Sequence, residues 1–137
     1  MTTNRITAAI LAASALGLVA PAAAKADELV LYCSVQEEWC RAMSEAFQRE
    51  TGINVLMTRA SSGETYAKIA AEKEQPRGDV WWGGTGDPHL QAAQEGLTAE
   101  YRSPLLEELQ PWAQAQAETA GYRTVGIYAG GLGFGYN

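Results

Sequence analysis

The chain has 137 residues with 10 basic and 16 acidic side chains, a net charge of −6, and 47% hydrophobic residues. Without a basic cluster, the acidic balance argues against nucleic acid or an anionic membrane as partner. Two cysteines and one histidine leave little material for a metal cluster or a histidine-based catalytic relay.

Residues 1–26 read as an export signal and not as part of the fold. Arg5 supplies a basic start, residues 6–18 form an apolar core, and Ala24-Lys25-Ala26 gives an A-x-A cleavage pattern before Asp27, with Ala22-Ala23-Ala24 as a competing cut. The apolar run is too short for a membrane span, and no cysteine lies at the cleavage point. Cleavage removes Arg5 and Lys25, so basic residues fall to 8 against 16 acidic ones and the net charge becomes −8. The remaining 111 residues suffice for one modest core.

Residues 29–33 (LVLYC) predict a first strand, apolar on both faces and therefore central and parallel. Ser34-Val35-Gln36-Glu37 has capping-box spacing and predicts a helix start. Trp39, Met43, Ala46 and Phe47 recur on one stripe of that helix and are expected to face the core; Gly52 ends it. Residues 53–58 predict a second strand, Ser61 and Glu64 a second capping box, and Ala67, Ile69, Ala70 and Ala71 the helix behind it.

Residues 79–89 (DVWWGGTGDPH) combine Val80-Trp81-Trp82, suited to a pleated sheet, with a small-residue run, Gly83-Gly84-Thr85-Gly86. A helix then begins, with Asp87 expected as N-cap and Pro88 in its first turn. It carries Leu90, Ala93 and Leu97 and stops around Gly96. Beyond lie a turn at 101–104, a short helix at 105–109, a weak helix at 112–120, and two glycine-rich strand-like stretches at 124–128 and 131–136. The chain stops inside the last of these, which suggests a truncated sequence.

Three β–turn–α units in succession predict an α/β fold with a parallel sheet. Their turns, at Ser34-Val35-Gln36, Ser61-Ser62-Gly63 and Gly83-Gly84-Thr85, then emerge at one sheet edge. Open α/β sheets bind ligands at the carboxyl ends of their strands, and helix N-termini favour anions. The bland alternative, tight connections without a ligand, weakens once three such turns converge.

No catalytic constellation is present. His89 stands alone, no G-x-S-x-G elbow or Walker A pattern occurs, and the glycines at 131–135 lack the spacing of a dinucleotide fingerprint, so no cofactor is expected. Glu37-Glu38 and Glu107-Glu108 read as solvated helix faces. Cys33 and Cys40 are spaced neither as C-x-x-C nor as a zinc knuckle. Export favours a disulfide between them, contributing about 2.5 kcal/mol through a loop of about 8 residues; two buried thiols are the alternative.

The segments LVLYCS, EAFQRETGINV, SSGETYAKIAAEKEQPRGDVWWGGTGDPHLQAAQEGL, YRSPLL and GFGYN together resemble the N-terminal part of periplasmic substrate-binding proteins of ABC importers, of the ferric-iron-binding type and its sugar-phosphate- and organophosphate-binding relatives. The resemblance spans essentially all of 28–137. It implies a type 2 periplasmic-binding fold whose three-layer αβα N-terminal lobe occupies 27–137, with a second lobe absent, and a monomeric receptor delivering a small solute to an inner-membrane permease.

In the iron-binding members it places a histidine just after the first strand and a glutamate after the third. Gln36 and the Gly83-Gly84-Thr85 run stand there instead, and these loops offer little to hard Fe³⁺. The phosphate-binding relatives are the better match, with Ser34, Ser61, Ser62, Gly63, Gly84 and Thr85 donating to a phosphate. Ferric iron is the alternative, and a secreted α/β enzyme such as a phosphatase is the rival of another class.

Overall fold

The computed structural model describes residues 27–131, 133 and 135. The expected export segment 1–26 lies outside the described residues, as do residue 137 and residues 132, 134 and 136 of the expected last strand.

Strands β1 (Glu28–Cys33), β2 (Asn54–Arg59) and β3 (Val80–Trp82) form a sheet of order β2-β1-β3. Both pairings are parallel, with Cys33 opposite Arg59 on one side and Trp82 on the other. The three strands therefore end level, and β1 is central as its continuous apolar run predicts. Helices α1 (Glu37–Thr51), α2 (Ser62–Ala71) and α3 (Gly86–Gln94) follow the strands in turn; a 3₁₀ turn at Leu106–Glu108 and helix α4 (Pro111–Thr119) complete the described elements.

Alternation along β1 sends its side chains to opposite layers. Leu31 and Cys33 pack with Val35 and Cys40 of the α1 segment, joined by Leu29, Val55, Met57 and Trp82. On the other face Tyr32 is buried, and its hydroxyl donates to Glu72 Oε2 at the end of α2 (2.8 Å) while Lys68 Nζ lies 4.4 Å from its ring centre. α2 meets α3 on that same face, where Gln91 donates to the Tyr66 hydroxyl and Tyr66 to Glu95. Helices thus cover both faces of a parallel sheet, the αβα arrangement expected.

Four local expectations are corrected. The Ser34–Glu37 capping box does not form: the Ser34 N–H donates to Trp82 O (3.0 Å), so Ser34 still extends the sheet, and α1 begins after Gln36, whose side chain makes no capping bond. Trp39 and Met43 do not face the core; they are 51% and 49% exposed. The Cys33–Cys40 disulfide (Cα–Cα 6.0 Å) turns the Cys40 side of α1 inward. Ser44 and Gln48, one and two turns on, then meet β2 at Met57 and Val55.

The N-cap of α3 is Thr85, not Asp87, which sits with Pro88 inside the first turn. Residues 124–128 are not a strand. They lie against α4, where Gly126 approaches the Trp112 ring too closely to admit a Cβ. With β3, Gly83 and Gly84 they help to line a groove of about 700 Å³.

The second capping box is present, with Ser61 Oγ accepting from Glu64 N and Glu64 Oε2 accepting from Ser61 N. These bonds hold the Glu64 carboxyl below its usual pKa. Gly52 closes α1 at φ +74, a left-handed conformation, with its N–H on Gln48 O.

Candidate functional site

Because the strands end level, the residues after Cys33, Arg59 and Trp82 meet at one edge. Gly84 is the point of closest approach. A Cβ there would collide with Ser62 Oγ and stand 2.9 Å from Ser34 Cβ and 3.0 Å from Ser34 O. Residues from all three turns therefore touch one another, with the glycine backbone between the two serines. Gly83 (φ +78) and Gly84 (φ +98) both occupy conformations that side chains disfavour, and a Cβ on Gly83 would press within 2.9 Å of Val35. Glycine is required at both positions.

The hydroxyls of the three turns have different employment. Ser34 Oγ donates to Thr65 Oγ1 (3.0 Å) and accepts from Trp81 Nε1 (2.9 Å). Thr65 is 2% exposed, so this relay lies beneath the turns, and Ser34 braces them from below. Ser62 Oγ accepts from Thr85 N (3.0 Å), joining the N-termini of α2 and α3. As a hydroxyl it retains one proton to give. Ser61 is committed to its capping box. Gly63 is exposed with open space around it, while Gln36 and Thr85 are exposed at the starts of α1 and α3.

First-turn amides have no acceptor within their own helix. In α2 these include Ser62 and Gly63, and in α3 Gly86 and Asp87. Both helix starts carry positive partial charge toward the same edge. Arg59 brings a positive charge to these turns, its Nε donating to Val35 O at 2.7 Å. Among the described residues no group of three or more His, Cys, Asp or Glu is placed to hold a metal ion.

Five participants lie outside the three expected turns. Tyr128 lies 44 residues beyond Gly84, yet its hydroxyl accepts from Gly84 N (2.6 Å) and donates to Gly84 O (2.9 Å). Trp39 meets the Tyr128 ring edge-on, with centroids 5.8 Å apart. Thr65 and Trp81 hold Ser34. His89 stacks on Trp81 (centroids 3.7 Å, 23° between planes) and bonds Gly83 O through Nε2 (2.9 Å). A carbonyl partner requires Nε2 to carry the proton, which suits a neutral ring, and burial pushes the His89 pKa down.

Residues 29–124 match the family model described as bacterial extracellular solute-binding protein. The chain belongs to this family. Its members are binding proteins. It is 40% identical over 133 residues to an uncharacterized protein of Haemophilus influenzae, covering 96% of this chain but 38% of that relative. The chain thus spans well under half the length of that relative.

Among solved structures, it is similar to the periplasmic binding protein P5PA (36% identity, TM-score 0.65, 69% of this chain and 30% of that one). It is also similar to the periplasmic binding protein AfuA from Actinobacillus pleuropneumoniae, with exogenous fructose-6-phosphate bound (41%, 0.62, 64% and 28%). Iron-bound HitA from Pseudomonas aeruginosa is more distant (26%, 0.60, 64% and 28%).

Proposed function

We propose that this solute-binding protein is the exported receptor of an ABC importer. Its solute is a small anion bearing a phosphate group, held at the edge where α2 and α3 begin, and its partner is an inner-membrane permease. On this reading residues 1–26 direct export and are removed, and the protein works as a monomer in the periplasm. The observation that carries the phosphate reading is the meeting of Ser62, Gly84 and Thr85 between two helix N-termini. There the Ser62 hydroxyl and the amides of Ser62, Gly63 and Gly86 are available to an anion's oxygens. Ser34 serves this site from beneath, through Thr65 and Trp81.

The 41% identity to a protein with fructose-6-phosphate bound supports the choice of a phosphate ester. Ferric iron is the second reading, supported by the likeness to iron-bound HitA. It asks for anionic oxygen donors, and the turns present Gln36, Gly83, Gly84 and Thr85 where carboxylates would serve better. Titration calorimetry of the full-length protein against inorganic phosphate, fructose 6-phosphate and ferric citrate separates the readings. The phosphate reading expects heat with the phosphorylated compounds, weakened at least tenfold by Ser62→Ala. Heat with ferric citrate alone would transfer the function to iron. Turnover of a phosphoester, lost on His89→Ala, would replace the receptor with an enzyme.

A further inference from the structure

Two aromatic side chains stand at the rim of the site without an assigned role. Trp39 lies in the first turn of α1 and is 51% exposed; Tyr128 is 38% exposed and pinned to Gly84 by two hydrogen bonds. Scattered exposed aromatics need no explanation, but these are paired, edge to face, and one of them touches the glycine between Ser34 and Ser62.

Their position is also fixed. The Cys33–Cys40 disulfide ties the residue after Trp39 to the end of β1, and Arg59 fastens the intervening turn at Val35 O. Trp39 therefore cannot swing away with a fraying helix end, and the Tyr128 ring cannot leave without giving up both bonds to Gly84. A half-exposed, immobilised aromatic surface beside an anion cradle provides contact area at little cost in side-chain entropy.

From this we infer that Trp39 and Tyr128 form a second subsite, which packs against the organic part of the solute and favours phosphate esters whose organic part is a ring. The inference rests on the phosphate reading above and adds a chemical class to it. The cradle of amides and the Ser62 hydroxyl recognises the phosphate of any ester. The aromatic pair distinguishes esters by what the phosphate is attached to, since a ring lays a broad face on an aromatic wall and a short acyclic chain does not. Tyr128 also keeps a polar end at the cradle, so its ring is oriented by the backbone that would meet the phosphate.

The test compares affinities of the full-length protein for inorganic phosphate, glycerol 3-phosphate and fructose 6-phosphate by calorimetry, in wild type, Trp39→Ala and Trp39→Phe. The expected result is a preference for fructose 6-phosphate over both other ligands. Trp39→Ala should reduce that preference roughly tenfold and Trp39→Phe should retain most of it. Circular dichroism checks that both variants fold; the exposure of Trp39 makes Trp39→Phe a safe second variant. A wild-type preference absent from the start, or an equal loss for all three ligands in Trp39→Ala, overturns the aromatic subsite and leaves the phosphate reading standing. Failure of all three to bind the wild type overturns both.

Discussion

Replacing Gly84 with alanine tests the packing of the three turns directly. At φ +98 a side chain costs about 1–2 kcal/mol. The new Cβ would also collide with Ser62 Oγ and crowd Ser34 Cβ and O at 2.9 and 3.0 Å. Ser62 has to move, which gives up its bond from Thr85 N, worth about 1 kcal/mol. The sum is about 3 kcal/mol, on the order of 15 °C in Tm for a domain near 100 residues. Gly86→Ala is the matched control, since a Cβ there meets nothing within 4 Å and its φ is ordinary. Urea unfolding of wild type and both variants, with the m-value checked for constancy, reads the difference. Gly84→Ala within 0.5 kcal/mol of Gly86→Ala, an order-of-magnitude threshold set by typical surface substitutions, would refute the close approach and the convergence inferred from it.

Ser61→Ala should cost about 1 kcal/mol in urea unfolding by removing the N-cap of α2, and a neutral result would deny the capping box a stabilising role. Converting Cys33 and Cys40 together to serine should cost about 2.5 kcal/mol through the loop-entropy effect; an unchanged urea midpoint for the double variant would contradict that. His89 holds fewer protons folded than unfolded because burial lowers its pKa. Its contribution is therefore fully present above pH 6.5 and is lost as pH falls through the folded value. The urea midpoint of the wild type should fall between pH 7.5 and 5.5 more steeply than that of His89→Gln, and parallel profiles would exclude the effect. Tyr32 has the opposite sign. Burial first, then its bond to Glu72, raises the Tyr32 pKa to about 12, so its contribution is present below pH 10 and lost toward pH 12. Absorbance titration should find this tyrosine ionising later in the wild type than in Glu72→Gln; identical curves would remove Glu72 as a cause.

The sheet was legible because its signals are local. Five apolar residues at 29–33 mark a central strand, Ser61 and Glu64 mark a helix start, and Gly52 and Gly96 mark helix ends. The failures share a different cause. Ser34 has the spacing of a cap, but the sheet claims its N–H through Trp82, which sequence spacing cannot reveal. Trp39 and Met43 have core periodicity, yet Cys40 lies on the same helix and the disulfide decides which side turns inward. Residues 124–128 have strand composition, but a strand also needs a partner edge, and this segment packs Gly126 against Trp112 of α4 instead. The three turns were found from chain order alone. Tyr128, Thr65 and the Trp81 Nε1–H were not, because their bonds cross 44, 31 and 47 residues.

The outer edge of β3 matters beyond ligand binding. Val80, Trp81 and Trp82 pair with β1 on one side, while the other side faces the groove along 124–128. Among the described residues no strand pairs with this edge, and a run of strand amides and carbonyls beside exposed Val80, Val125 and Ile127 is a template for another extended chain. At high concentration, beyond the monomer proposed for the periplasm, this edge should favour weak edge-to-edge pairing, so self-association should grow with protein concentration. Sedimentation across a concentration series would detect it. A lysine in place of Val80 would suppress it by putting charge on that edge, as natural edge strands do.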